Sequence, residues 1–179
     1  MAIHESNERP SWSAKWRRTI FLALAASCLV TWNLASWAKP NDAVPYPTGY
    51  RHWTHVKSTL VGPKHPNFER NGGFHHFYAN EKALEGYRTG KFPDGSVLVD
   101  DGLEQKETAN GAVVEGPRRR IAVMLKDGKR YAETGGWGYE SFKGDSQTER
   151  LGTAEVVANC FACHGKQKER DSVFGEFRK

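Results

Sequence analysis

The 179-residue chain is poor in cysteine: it holds three and has no second closely spaced pair. Cys28 lies in an apolar N-terminal run, and only Cys160 and Cys163 follow it. A small exported domain stapled by disulfides would carry more. A bond between Cys160 and Cys163 would close a tiny loop and stabilise little. A four-ligand zinc site would need two further ligands at short spacing, and none follows that pattern. Charge of one sign is also scarce, with 26 Lys and Arg against 21 Asp and Glu, a net +5. No basic helix is evident and no arginine run beyond Arg118, Arg119 and Arg120, so nucleic acid is not an expected partner. Those three arginines are expected to flank a strand and face solvent. Long 3.6-period segments rich in Ala and Lys are missing as well. That excludes a helical bundle, and 18 glycines among short apolar runs point to strands instead. Internal repeats and low-complexity tracts are absent.

What the chain does have begins with a leader. Lys15, Arg17 and Arg18 precede "TIFLALAASCLVTWNLASWA", which ends in small residues at Ser36 and Ala38. This is the layout of a signal peptide over residues 1–38, cleaved after Ala38, and it implies a periplasmic protein. Two other readings remain open. The run approaches membrane-spanning length and could stay as an uncleaved anchor. "AASC" loosely resembles a lipoprotein box at Cys28, although the apolar run continues for ten residues beyond it. Removal of the leader, with four basic and two acidic residues, lowers the net charge to +3 and leaves 141 residues, enough for one core.

"NCFACHG", residues 159–165, carries the chemistry. Cys-x-x-Cys alone could be a redox pair or half of a zinc site. A thioredoxin-like pair expects a strand before it in a βαβ unit, whereas "TAEVVANCFACHG" predicts a helix with Thr153 as cap and Gly165 as stop. His164 directly after the second cysteine is the feature that a covalent haem site requires. Two thiols add to the haem vinyl groups, and the next residue places its imidazole on the iron. One haem c is therefore expected on Cys160 and Cys163, with His164 as the iron ligand.

Elements upstream are short. "KPNDAVPYPTG" (39–49) reads as a Pro-rich extended linker to a domain over 50–179. Tyr50 to Leu60 begins as a helical turn and becomes a strand; "GFHHFYA" (73–79) is a strand; "NEKALEGYRTG" (80–90) is a helix capped by Asn80 and stopped by Gly90. "SVLV" (96–99) and "RIAVMLK" (120–126) are strands on either side of an Asn110-Gly111 turn. "DGK" (127–129) turns the chain into "RYAET", and "GGWGYESF" (135–142) is a last strand. The expected fold class is α+β: an antiparallel sheet of about five strands, short helices and a C-terminal haem-binding helix.

"HWTHVKS", "YANEKALEGYRTGKFPDGSV", "EGPRRRIAVMLKDGKRYAETGGWGYESF" and "CFACHG" followed by "DSVFGEFR" resemble the cytochrome P460 family over about Tyr50 to Arg178. The resemblance implies a β-rich, exported haem protein, commonly a homodimer, of the kind that includes cytochrome c-prime-beta. It also implies an open sixth iron position. Hydroxylamine-oxidising members have a lysine bonded to the haem edge and a distal glutamate. The matching positions here hold Asp100 and Ala122, which can neither make that cross-link nor move that proton.

Strand alternation places Ser96, Leu98 and Asp100 on one face, and Arg120, Ala122, Met124 and Lys126 on one face of the next strand. Leu98, Asp100, Ala122 and Met124 are thus the candidate distal wall. Two alternatives stand beside this: Asp100 as a solvated strand end, and Met124 as core packing instead of an iron ligand. His75 and His76 point to opposite faces, so at most one reaches the haem side; His52, His55 and His65 are expected on the surface or in loops. The expected function is binding of a small diatomic or nitrogen-oxide ligand such as nitric oxide. A hydroxylamine or nitric oxide oxidoreductase and a six-coordinate electron carrier with a periplasmic redox partner are the competing readings.

Overall fold

Each of five runs of β-branched and aromatic residues pairs with the run that follows it, so the sheet order is the chain order. A computed structural model describes residues 43–178. The strands are β1 (Thr54–Val61), β2 (Gly73–Ala79), β3 (Val97–Glu107), β4 (Val113–Lys126) and β5 (Trp137–Lys143), antiparallel in the order β1-β2-β3-β4-β5. Among the described residues three α-helices accompany them: α1 (Phe68–Asn71), α2 (Glu81–Thr89) and α3 (Ala154–His164). The protein is α+β, as its patterning implies. The leader over residues 1–38 lies outside the described residues; among those described, no helix is long and apolar enough to cross a membrane.

Local signals account for the helices. Asn80 caps α2 by accepting from the Ala83 N–H at 3.0 Å, and the same oxygen accepts from Val97 N, tying the helix start to the head of β3. Gly90 ends α2 at φ 78°, a conformation that favours glycine. Thr153 caps α3 through Val156 N.

Period-two alternation then sorts the sheet into two faces. On one, Ala79, Leu98, Trp137 and Tyr139 join Val56, Ala83, Phe92 and Val173, with Met124, Val157, Cys160 and Phe161 packed against them. On the other, Val99, Ile121, Val123 and Phe142 join Val44 and Tyr50. Trp137, Ile121 and Phe142 are fully buried, and each such side chain contributes about 1.5–3 kcal/mol. Each face thus carries its own apolar cluster, and the first is the one against which α3 packs.

Two expectations change. Arg118 to Arg120 lie inside β4, and the Arg118 side chain is 11% exposed. It is drawn in by Asp101, which also accepts from the Tyr50 hydroxyl at 2.7 Å. Gly165 ends α3 as its C-cap, as expected, with right-handed backbone, and a 3-10 segment follows over Gly165–Arg170, ending at Asp171 (φ 51°) and Ser172 (φ 66°). Within the Pro-rich stretch residues 43–47 form no regular element, yet Val44 is buried and Tyr46 meets Phe142 edge-on, so this part packs as core. After the Asp127 turn, Ala132–Thr134 forms a 3-10 turn before β5.

Candidate functional site

The first face of the sheet is read off its register. Phe77 faces Asp100, Asp100 faces Ala122, and Ala122 faces Ser141; in the next row Ala79, Leu98, Met124 and Tyr139 align. Residues directly opposite one another share a face, so the four candidates Leu98, Asp100, Ala122 and Met124 lie together. Leu98 and Met124 belong to the same cluster as Cys160 and Phe161 of α3, which places this wall against the cysteine-bearing helix.

On α3, Cys160 and Cys163 are three residues apart and therefore share a side of the helix. Cys160 is half-buried, Cys163 is exposed, and both are free thiols. Burial pushes the Cys160 thiol up from its ordinary value. His164 ends the helix. Its Nδ1 lies 2.8 Å from the backbone carbonyl of Ser172, so Nδ1–H donates and Nε2 keeps its lone pair. The ring sits between Tyr139 (5.4 Å between centroids) and Phe174 (5.1 Å). Burial lowers the His164 pKa, with the Ser172 carbonyl and the charge of Asp100 opposing it, which favours the neutral imidazole. That is the state a metal-binding nitrogen needs.

The turn that presents the Ser172 carbonyl is held from three sides. Asp171 accepts from Phe92 N at 2.9 Å and from Lys126 Nζ at 2.6 Å, while its carbonyl accepts from Trp137 Nε1 at 2.8 Å. Sequence reasoning missed Asp171 and Ser172 because the decisive atom is a main-chain oxygen, which no residue type marks.

Polar partners alter two candidates. Asp100 is not a solvated strand end: it sits within β3 with its side chain 21% exposed, and His75 Nδ1 lies 2.9 Å away. His76 points to the opposite face, where it meets Ser58 Oγ at 2.7 Å and Glu115 at 2.7 Å. His55, expected on the surface or in a loop, lies within β1 and is partly covered, bonded to the same Ser58. A cleft of about 480 Å³ on that opposite side is lined by Arg51, His55, His76 and Arg118 and includes none of the α3 residues.

The family model for cytochrome P460 matches residues 47–175. The chain belongs to the cytochrome P460 family. It is a haem cytochrome. No curated protein matches it. The residues present fit a haem of this cytochrome P460. Two free thiols and an imidazole with an available Nε2 lie on one helix end, beside an apolar wall. The Tyr139 hydroxyl is buried there without a hydrogen-bond partner. An orphaned buried hydroxyl costs about 1–3 kcal/mol, so its presence beside Cys160 and His164 argues for a group that completes it.

Proposed function

We propose that this cytochrome P460 carries one haem c, joined by thioethers to Cys160 and Cys163 and bound to iron through His164 Nε2, and that it binds a small diatomic ligand such as nitric oxide. The observation that carries the reading is the His164–Ser172 hydrogen bond, which directs Nε2 away from the protein backbone and fixes the tautomer. Haem supplies an iron that exchanges one electron and binds nitric oxide or carbon monoxide. The chain's own groups set the surroundings. His164 is held by a carbonyl, not a carboxylate, so its ring is only modestly polarised. Leu98 and Met124 present apolar surface and exclude water; Ala122 offers no base. Met124 packs in the core cluster, which favours an open sixth position over a methionine-ligated carrier. Export to the periplasm through residues 1–38, a homodimer and a periplasmic electron donor belong to the same reading.

The test is a pair of spectra of the purified protein, ferrous with and without carbon monoxide, followed by acid-acetone extraction. A five-coordinate ferrous haem that takes carbon monoxide and stays with the polypeptide is the expected result. Haem that extracts freely, or a low-spin ferrous iron indifferent to carbon monoxide, overturns it.

A further inference from the structure

Of His75 and His76, strand register puts His75 on the haem side of the sheet, and it has no role in the site described above. Its two ring nitrogens have the same kind of neighbour. Nδ1 lies 2.9 and 3.0 Å from the two carboxylate oxygens of Asp100, and Nε2 lies 2.8 Å from the carbonyl oxygen of Asn71. Both neighbours are acceptors. A neutral imidazole carries one N–H and one lone pair, so it would turn a lone pair toward one of these oxygens and lose that hydrogen bond. Only the doubly protonated ring satisfies both contacts while Asp100 is ionised. The pair is built to hold one proton more than a free histidine beside a carboxylate.

The fold maintains this arrangement. The His75 side chain is 9% exposed and Asp100 is 21% exposed, so the imidazole is enclosed while the carboxylate keeps a route to water. Phe77 stacks near the His75 ring, with centroids 6.3 Å apart. Asn71, at the end of α1, is kept over His75 by Arg120 Nη2, which donates to Asn71 Oδ1 at 3.1 Å; Arg119 donates to the carbonyl of Gly72 at 2.9 Å. The hydrogen bond to Asp100 raises the His75 pKa and burial opposes it, with further support from the Asp100 charge and the Asn71 carbonyl and opposition from Arg120.

Asp100 also faces the cofactor helix electrically. It shares a sheet face with Leu98, Ala122 and Met124, and its charge acts on His164. The charged and titratable groups that bear on the pair are Arg120 of β4, 4.0 Å from Asp100 and acting on His75, and across the site His164 of α3. Arginine does not titrate in this range, and both Cys160 and His164 are expected to be committed to haem. The His75–Asp100 pair is then a group of this face free to exchange a proton, beside the Lys126–Asp171 ion pair and the Tyr139 phenol.

We propose that Asp100 and His75 form a proton-exchanging pair on the haem side of the sheet, which takes up one proton when the haem gains one electron. This rests on the haem reading given above. The balance is one electron from an external one-electron reductant and one proton from water. The proton enters at His75, completing the bonds to Asp100 and Asn71, while Asp100 stays a carboxylate. Reoxidation returns both. An added electron makes the haem side more negative and favours the protonated pair, so the reduction potential falls as pH rises between the two proton affinities. Asp100 thus acts here as a positioning residue that serves through His75.

The experiment is a potentiometric titration of the holoprotein across pH, in wild type, Asp100→Asn, Asp100→Glu and His75→Gln. Wild type is expected to show a pH-dependent segment, at its steepest tenfold in the redox equilibrium per pH unit, about 59 mV. Asp100→Asn and His75→Gln should flatten it, and Asp100→Glu should restore part of it. A second measurement reads His75 directly, by ring-nitrogen resonances in the diamagnetic ferrous carbon monoxide form. His75 should titrate above the ordinary histidine value, and lower in Asp100→Asn. A slope that persists in both Asp100→Asn and His75→Gln, or a His75 that titrates at the ordinary value in wild type, overturns the proposal while leaving covalent haem intact. Loss of haem on acid-acetone extraction marks failure of the haem reading instead, and the ring-nitrogen titration, run then on the protein as purified, still decides the pair.

Discussion

His164 and Ser172 are joined by a 2.8 Å hydrogen bond from the ring Nδ1–H to a main-chain carbonyl eight residues on. The bond aims the other ring nitrogen and needs Asp171 and Ser172 both left-handed, at φ 51° and 66°. Positive φ at non-glycine residues persists only where the surroundings impose it. Here Phe92, Lys126 and Trp137 do so through Asp171.

Asp171→Ala removes the acceptor of Phe92 N and Lys126 Nζ. A hydrogen bond to a charged group contributes about 1.5–3 kcal/mol, and a loss in that range is expected in urea unfolding of the holoprotein. The ferrous spectrum should broaden as well, because the turn that orients His164 is loosened. An unchanged spectrum with lowered stability would confine Asp171 to a structural role.

Met124→Ala separates core packing from ligation. Met124 packs against the cluster of Leu98, Trp137 and Tyr139, so truncation should cost about 2 kcal/mol while the resting spectrum stays the same. A clear change of spin state in this variant would identify Met124 as an iron ligand.

On the opposite face, Tyr50, Asp101 and Arg118 form a buried network, with Asp101 5% and Arg118 11% exposed at the side chain. Asp101→Ala leaves the Arg118 cation without its buried partner and should cost about 3–5 kcal/mol. The spectrum of the haem should not change, since this network lies across the sheet.

Tyr50 makes the alkaline limb testable. Burial, then the hydrogen bond to Asp101, pushes its pKa from 10.0 up to about 12. In the unfolded chain the phenol loses its proton first, so the unfolded state is favoured increasingly as pH climbs from 10 toward 12. Stability should therefore fall across that window, and Tyr50→Phe should fall less steeply in the same denaturation series.

Hydroxylamine oxidation should be negligible. A positioned carboxylate that takes protons from a bound substrate contributes about 10²–10⁴-fold, and the resemblance to hydroxylamine-oxidising members puts Ala122 at that position. Steady-state consumption with an artificial electron acceptor checks this against Asp100→Lys/Ala122→Glu. Robust turnover by wild type would show that those groups are dispensable or that the positions are mismatched.

Local sequence determined the elements with their own signals: Asn80 and Gly90 bound α2, Thr153 caps α3, and alternation in "GFHHFYA" and "RIAVMLK" sets strand faces. Covalent spacing along one helix made Cys160, Cys163 and His164 legible, because all three residues are neighbours in the chain. Tertiary structure decided what depends on partners far apart in sequence. Arg118 is buried because Asp101 lies across the strand pair, and Asp100 is an ion-pair partner because register sets β2 beside β3, within reach of His75. Beyond Gly165, which caps α3, a 3-10 segment runs on, and its end is held by Phe92, Lys126 and Trp137. The Ser172 carbonyl is invisible in sequence for the simplest reason: every residue has one, and only the fold selects which of them meets His164.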